Sequence, residues 1–188
     1  GALIGGGAGA GTVALLDEPA SSGSGTSTAQ NVTIQNPQTA TTATAAAAKA
    51  APSVVTVYVQ SGSSSGSGSG VVLSADGYVV TNNHVVTLDS GSTGDVQVRT
   101  SDGTVYDAEV VGTDPSSDLA VIALDGAQGL TPATFADSDE VQVGDIAVAI
   151  GAPLGLSNTV TDGIISATDR AVATGSTQDD TTVIDALQ

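Results

Sequence analysis

Apolar residues are distributed in two regimes along this chain. From Ser53 onward, short runs of Val, Ile, Leu and Tyr are separated by Gly, Asp and Ser, the texture of strands and tight turns. The runs predict strands at Val54–Gln60, Gly70–Ser74, Tyr78–Thr81, Val96–Thr100, Val105–Val111, Leu119–Leu124, Ile146–Ile150, Thr159–Thr168 and Val183–Leu187. Asp76-Gly77 and Asp102-Gly103 are hairpin signals, because glycine supplies the positive φ that two-residue turns require. Many short strands joined by such turns predict an all-β sandwich or barrel. The Gly/Ser run Ser61–Gly70 lacks apolar side chains and reads as a flexible surface loop.

Before Ser53 the pattern is different. Gly1 to Leu16 is uncharged and Gly/Ala-rich, just short of the ~17–25 residues that span a bilayer. It reads either as the remnant of a membrane anchor, with Gly1/Gly5, Gly5/Gly9 and Gly7/Gly11 at small-xxx-small spacing, or as a flexible tail. Residues 17–51 carry Ser, Thr, Ala, Gln and Gly with little to bury, so a disordered tether is expected, with a short helix over Ala43 to Ala51. Asn31-Val32-Thr33 is a glycosylation sequon by pattern alone. Residues 52–188 are left as the folded domain.

Composition narrows the function classes. A formal charge of -17, from three basic and twenty acidic residues, repels phosphate backbones and argues against nucleic acid as a partner. With no cysteine and one histidine there is no disulfide, no thiolate nucleophile and no basis for a zinc site. Asp137-Ser138-Asp139-Glu140 begins like a calcium loop, but Gln142 stands where the sharp turn needs glycine. No cofactor is expected. Only Tyr58, Tyr78, Tyr106 and Phe135 are aromatic, so any core must come from aliphatic side chains.

The candidate chemistry rests on His84 and Asp118. A neutral imidazole can take a hydroxyl proton near neutral pH and return it, and an aspartate on its other nitrogen fixes the tautomer. His84 is the one side chain available as that base. Asp118 opens the apolar run Leu119–Leu124 and would be held rigidly, whereas Asp114 precedes Pro115 and reads as a turn residue. A histidine followed by an aspartate is two-thirds of a Ser-His-Asp triad in its His, Asp, Ser order.

Four ordered stretches carry a resemblance. They are Gly68-Ser69-Gly70-Val71-Val72 with Asp76-Gly77-Tyr78-Val79-Val80-Thr81-Asn82-Asn83-His84-Val85-Val86; Asp114-Pro115-Ser116-Ser117-Asp118-Leu119-Ala120-Val121; Val143-Gly144-Asp145 through Gly151-Ala152-Pro153-Leu154-Gly155-Leu156; and Thr159-Val160-Thr161-Asp162-Gly163-Ile164-Ile165-Ser166-Ala167 leading to Arg170. Together they resemble the protease domain of the HtrA/Deg family of trypsin-like serine proteases, over about Pro52 to Gln188.

The resemblance implies a chymotrypsin-like double β-barrel, the first barrel complete and the second partial. It also implies a serine endopeptidase of envelope protein quality control, acting on unfolded or misfolded polypeptides, with homo-oligomeric assembly and a PDZ module as further family traits; membrane anchorage is expected from the apolar N-terminal run instead. Members carry a Gly-Asn-Ser-Gly-Gly segment that supplies nucleophile and oxyanion hole. No serine within residues 1–188 stands in that context, Ser166 and Ser176 included, so these residues alone are expected to be inactive. The alternative is a protease-like binding protein that has lost the serine.

Overall fold

The computed structural model describes residues 41–88, 93–151, 159–168, 170–174 and 181–188, together with residues 12–13 and 32–33. The chain divides into two units, Gly1–Lys49 and Ala50–Gln188. In the first, β1 (Thr12–Val13) pairs antiparallel with β2 (Val32–Thr33). The anchor-or-tail reading of 1–16, most of the 17–51 tether and the sequon at Asn31 otherwise lie outside the described residues. The alanine-rich segment forms helix α1 (Thr42–Ala50), close to the expected span. Among the described residues no helix is long and apolar enough to cross a membrane.

The second unit is built on a closed six-stranded barrel. Its strands are β3 (Val54–Ser61), β4 (Ser64–Val72), β5 (Tyr78–Thr81), β6 (Asp95–Arg99), β7 (Val105–Asp114) and β8 (Leu119–Leu124), in the order β3-β4-β5-β8-β7-β6. All the pairings are antiparallel, and β3 closes the ring by pairing with β4 on one side and β6 on the other. Alternation explains the interior. Val55, Val57 and Val59 of β3, Val96 and Val98 of β6, and Ala120, Ile122 and Leu124 of β8 sit at every second position and fill the core with Val72, Val79 and Val86. The core is aliphatic throughout, Tyr106 only packing against its margin. An all-β fold is therefore met, with both Asp-Gly hairpins in place: Gly77 (φ +112°) turns β4 into β5 and Gly103 (φ +91°) turns β6 into β7.

One expectation is overturned. Ser61–Gly70 is not a loop: Ser64 onward is strand β4, paired with β3 from Ser61↔Ser64 to Val54↔Val71. Glycine occupies its inward positions, Gly66, Gly68 and Gly70, and serine the alternate ones. A Cβ at Gly70 would lie 2.7 Å from Val79 Cγ1, and one at Gly68 would lie 2.6 Å from Val85 Cγ2. The inward positions are small because neighbouring side chains already fill that space, so a period-two strand reads by hydropathy as a linker.

Beyond the barrel lie two antiparallel ladders, β9 (Ile146–Gly151) with β10 (Thr159–Ile164), and β11 (Arg170–Thr174) with β12 (Thr181–Ala186). They are the partial second sheet system that the resemblance implied. β9 touches β3 and β4. Strand β11 was not expected, and it carries a register irregularity between Arg170 and Val172.

Candidate active site

His84 lies on a five-residue helix, α2 (Asn83–Thr87), inserted where β5 ends. The strand's last residue, Thr81, is buried and donates from Oγ1 to the Ser69 carbonyl at 2.8 Å, which fixes the exit point. Asn82 stays extended (φ −85°, ψ 147°), and its carbonyl accepts from the Val85 N–H at 3.2 Å to begin the helical turn. Val85 and Val86 are buried, holding α2 on the barrel, while the Val86 carbonyl accepts from the Gly94 N–H at 3.0 Å. Gly68 lies directly beneath Val85, so the absence of a side chain there lets the helix seat closely. Leu88 ends the helix in the left-handed region (φ 49°), its side chain packed over Gly66. His84 points outward, its side chain 54% exposed.

Asp118 arrives from the opposite direction. β5 and β8 are antiparallel neighbours with Thr81 opposite Ala120, so the end of one strand lies beside the start of the other. The turn before β8 is tied by Asp114, whose Oδ1 accepts from the Ser116 N–H (3.0 Å) and Oγ–H (2.6 Å) and whose Oδ2 accepts from the Ser117 Oγ–H (2.8 Å). The hydroxyls of Ser116 and then Ser117 hold the Asp114 carboxyl below its ordinary value. Asp118 itself has φ +51°, a conformation that aspartate tolerates better than most residues. Its side chain is 27% exposed.

At the meeting point His84 Nδ1 lies 2.7 Å from Asp118 Oδ2, and the His84 backbone N–H donates to Asp118 Oδ1 at 2.9 Å. As a carboxylate Asp118 can only accept, so the proton of this bond sits on Nδ1, and in the neutral ring Nε2 keeps its lone pair. That is the tautomer a general base needs. The Asp118 carbonyl accepts twice, from the Asn83 N–H at 3.1 Å and the Asn82 side-chain amide at 3.0 Å. The structure thus brings His84 and Asp118 together and keeps Asp114 in its own turn. Ser166 follows β10, its N–H donating to the Gln188 carbonyl, and Ser176 lies outside the described residues. The contributions of Asn82 and Gly68 were not singled out from sequence. The Gly/Ser alternation was the one signal that could have pointed to Gly68.

Residues 68–187 match the family described as trypsin-like peptidase domain. The periplasmic serine endoprotease DegP of Salmonella typhimurium is 52% identical over 101 residues, covering 54% of this chain and 20% of that protein. Serine protease PepD of Mycobacterium tuberculosis is 43% identical over 124 residues, covering 63% of this chain and 27% of PepD. Among solved structures, the HtrA-type protease AlgW with tripeptide superimposes with a TM-score of 0.65 at 39% identity, over 74% of this chain and 44% of that one. The chain spans about a fifth of the length of DegP (20%) and about a quarter of that of PepD (27%).

Proposed function

Since the chain belongs to the HtrA family of trypsin-like serine proteases, we propose that it supplies the base and its orienting carboxylate to a serine endopeptidase acting on unfolded or misfolded polypeptides outside the cytoplasm. The observation that carries this is the 2.7 Å bond between His84 Nδ1 and Asp118 Oδ2 at the rim of the closed barrel. His84 Nε2 would take the serine hydroxyl proton as the oxygen attacks the peptide carbonyl, then deliver it to the leaving amine. Asp118 holds the ring in that tautomer and stabilises the imidazolium. The relatives' names support the compartment, DegP being periplasmic, and AlgW bound to a tripeptide supports a polypeptide ligand. Residues 52–188 form the protease domain in this reading. With no Gly-x-Ser-Gly-Gly segment within residues 1–188, these residues by themselves hydrolyse nothing.

The test uses a longer chain that carries such a segment, assayed on unfolded casein. His84→Ala should abolish turnover, and Asp118→Asn should lower kcat by about 10⁴, the loss typical of a wrong imidazole tautomer. Asp114→Asn should stay within about tenfold, because its bonds end inside its own turn. Full activity in the His84 variant would sink the mechanism. A folded enzyme killed by Asp114→Asn and spared by Asp118→Asn would reassign the carboxylate.

A further inference from the structure

Asn82 stands at the N-cap of α2 and does not cap it. Asparagine is favoured at that position because its side-chain oxygen can accept from the N–H of the second or third helical residue. Here no such bond forms. The amide nitrogen turns instead to Asp118, donating to its backbone carbonyl at 3.0 Å and to its carboxylate Oδ2 at 3.3 Å. One amide thus spans main chain and side chain of the same residue, and that residue has a left-handed backbone (φ +51°).

The bonding of Asp118 explains why this matters. Oδ1 takes the His84 backbone N–H, and Oδ2 is shared between the His84 ring and the Asn82 amide. The three consecutive residues Asn82, Asn83 and His84 all grip Asp118, but the Asn82 amide alone joins its carbonyl to its carboxylate. Such a bridge restricts rotation about the Cα–Cβ bond and so limits how far Oδ2 can swing from the imidazole.

We infer that Asn82 is a positioning residue for the His84–Asp118 pair, its side-chain amide locking the Asp118 carboxylate in the orientation that keeps the imidazole proton on Nδ1. This deepens the protease reading and rests on it. The chain has a single histidine, so the imidazole ¹⁵N resonances report one residue without assignment ambiguity. The experiment measures the Nδ1–H to Nε2–H tautomer ratio of neutral His84 in the 188-residue chain, in wild type, Asn82→Asp and Asn82→Ala.

Asn82→Asp keeps the shape but sets a repelling carboxylate against Asp118 in place of the donor, whereas Asn82→Ala removes the donor without adding charge. Both variants should retain wild-type amide dispersion while the ratio falls by roughly tenfold, the weight of one charge-assisted hydrogen bond. In a longer, serine-bearing chain kcat should fall with KM unchanged. A wild-type ratio in the two folded variants would overturn the inference. If Asn82→Ala fails to fold, the uncharged, similarly sized Asn82→Leu decides; loss of fold in all of them would also overturn it, in favour of a purely structural role. A wild-type protein whose neutral His84 carries its proton on Nε2 would instead refute the His84–Asp118 reading, leaving a distinguishable signature.

Discussion

Gly68→Ala should weaken the bond between His84 and Asp118 without touching either residue. The added Cβ would lie 2.6 and 3.0 Å from the two γ-carbons of Val85, and 3.4 Å from its Cβ. Valine is stiff about χ1 and cannot turn both methyls away. Relief to an ordinary carbon–carbon separation of ~3.5–4.0 Å requires α2 to lift by roughly 1 Å. Transmitting half of that to the next residue would stretch the 2.7 Å bond between Nδ1 and Oδ2 to the edge of hydrogen-bonding range.

The energetic sign follows from two opposing effects. Overpacking costs ~1–3 kcal/mol, and removing a glycine from the unfolded chain returns ~0.4–1 kcal/mol, so the net loss lies between ~0 and ~2.6 kcal/mol, centred near ~1.3. Two sites on the same strand serve as controls. At Gly70 the clashes are with Val79, Val55 and Val57 at 2.7 to 3.1 Å, so Gly70→Ala should cost a similar amount and leave the histidine bond intact. At Gly66 the clash is with the far end of Leu88 alone, which can rotate, and Gly66→Ala should be nearly neutral. Urea unfolding followed by circular dichroism gives the stabilities, and the His84 tautomer ratio gives the bond. Wild-type stability and tautomer in Gly68→Ala, or loss of the Nδ1 tautomer in Gly70→Ala, would refute the seating of α2 on a bare strand.

Two further outcomes are expected. The Asp102 carboxyl is held below its ordinary value of 3.8 by the Thr100 hydroxyl first and the Thr104 N–H next, so its contribution to stability is full above that value and is lost as pH falls through the lower, folded one; Asp102→Asn should therefore flatten the acid limb of a stability–pH curve below about pH 4 and leave neutral-pH tautomer ratios unchanged, and an unaltered acid limb would count against it. Ile122→Ala, at a fully buried β8 position, should cost ~2–5 kcal/mol by urea titration, whereas Val105→Ala at an exposed position on β7 should change stability by less than ~0.5 kcal/mol; equal costs would mean the barrel interior has been misplaced.

The valine-bearing strands were legible because each carries enough apolar surface to declare a face. β5 and β8 were read to their residue limits for that reason, and the antiparallel adjacency that joins His84 to Asp118 follows once those strands exist. β4 was illegible by the same rule. Its inward face is glycine, selected by what neighbouring strands and α2 push into it, and a hydropathy pattern records the residue rather than the space it leaves. α2 escaped because five residues are too few to display a helical period. The preference for Asp118 over Asp114 could be argued from the strand that follows Asp118. The bridging amide of Asn82 could not, since it depends on a carbonyl turned by a left-handed residue 36 positions away.

A ring of six strands has no end from which to fray. The His84–Asp118 bond hangs at one rim of that ring, with His84 on α2 just past the end of β5 and Asp118 at the start of the neighbouring β8, so its two anchors keep their spacing for as long as the ring stays closed. Among the described residues the β9–β10 and β11–β12 ladders are two strands wide, a size with little stability of its own, so they are expected to open more readily than the ring. Slow amide exchange in β5 and β8 beside fast exchange in the ladders would be the signature of these two clocks. The spacing of His84 and Asp118 then outlasts any opening of the ladders.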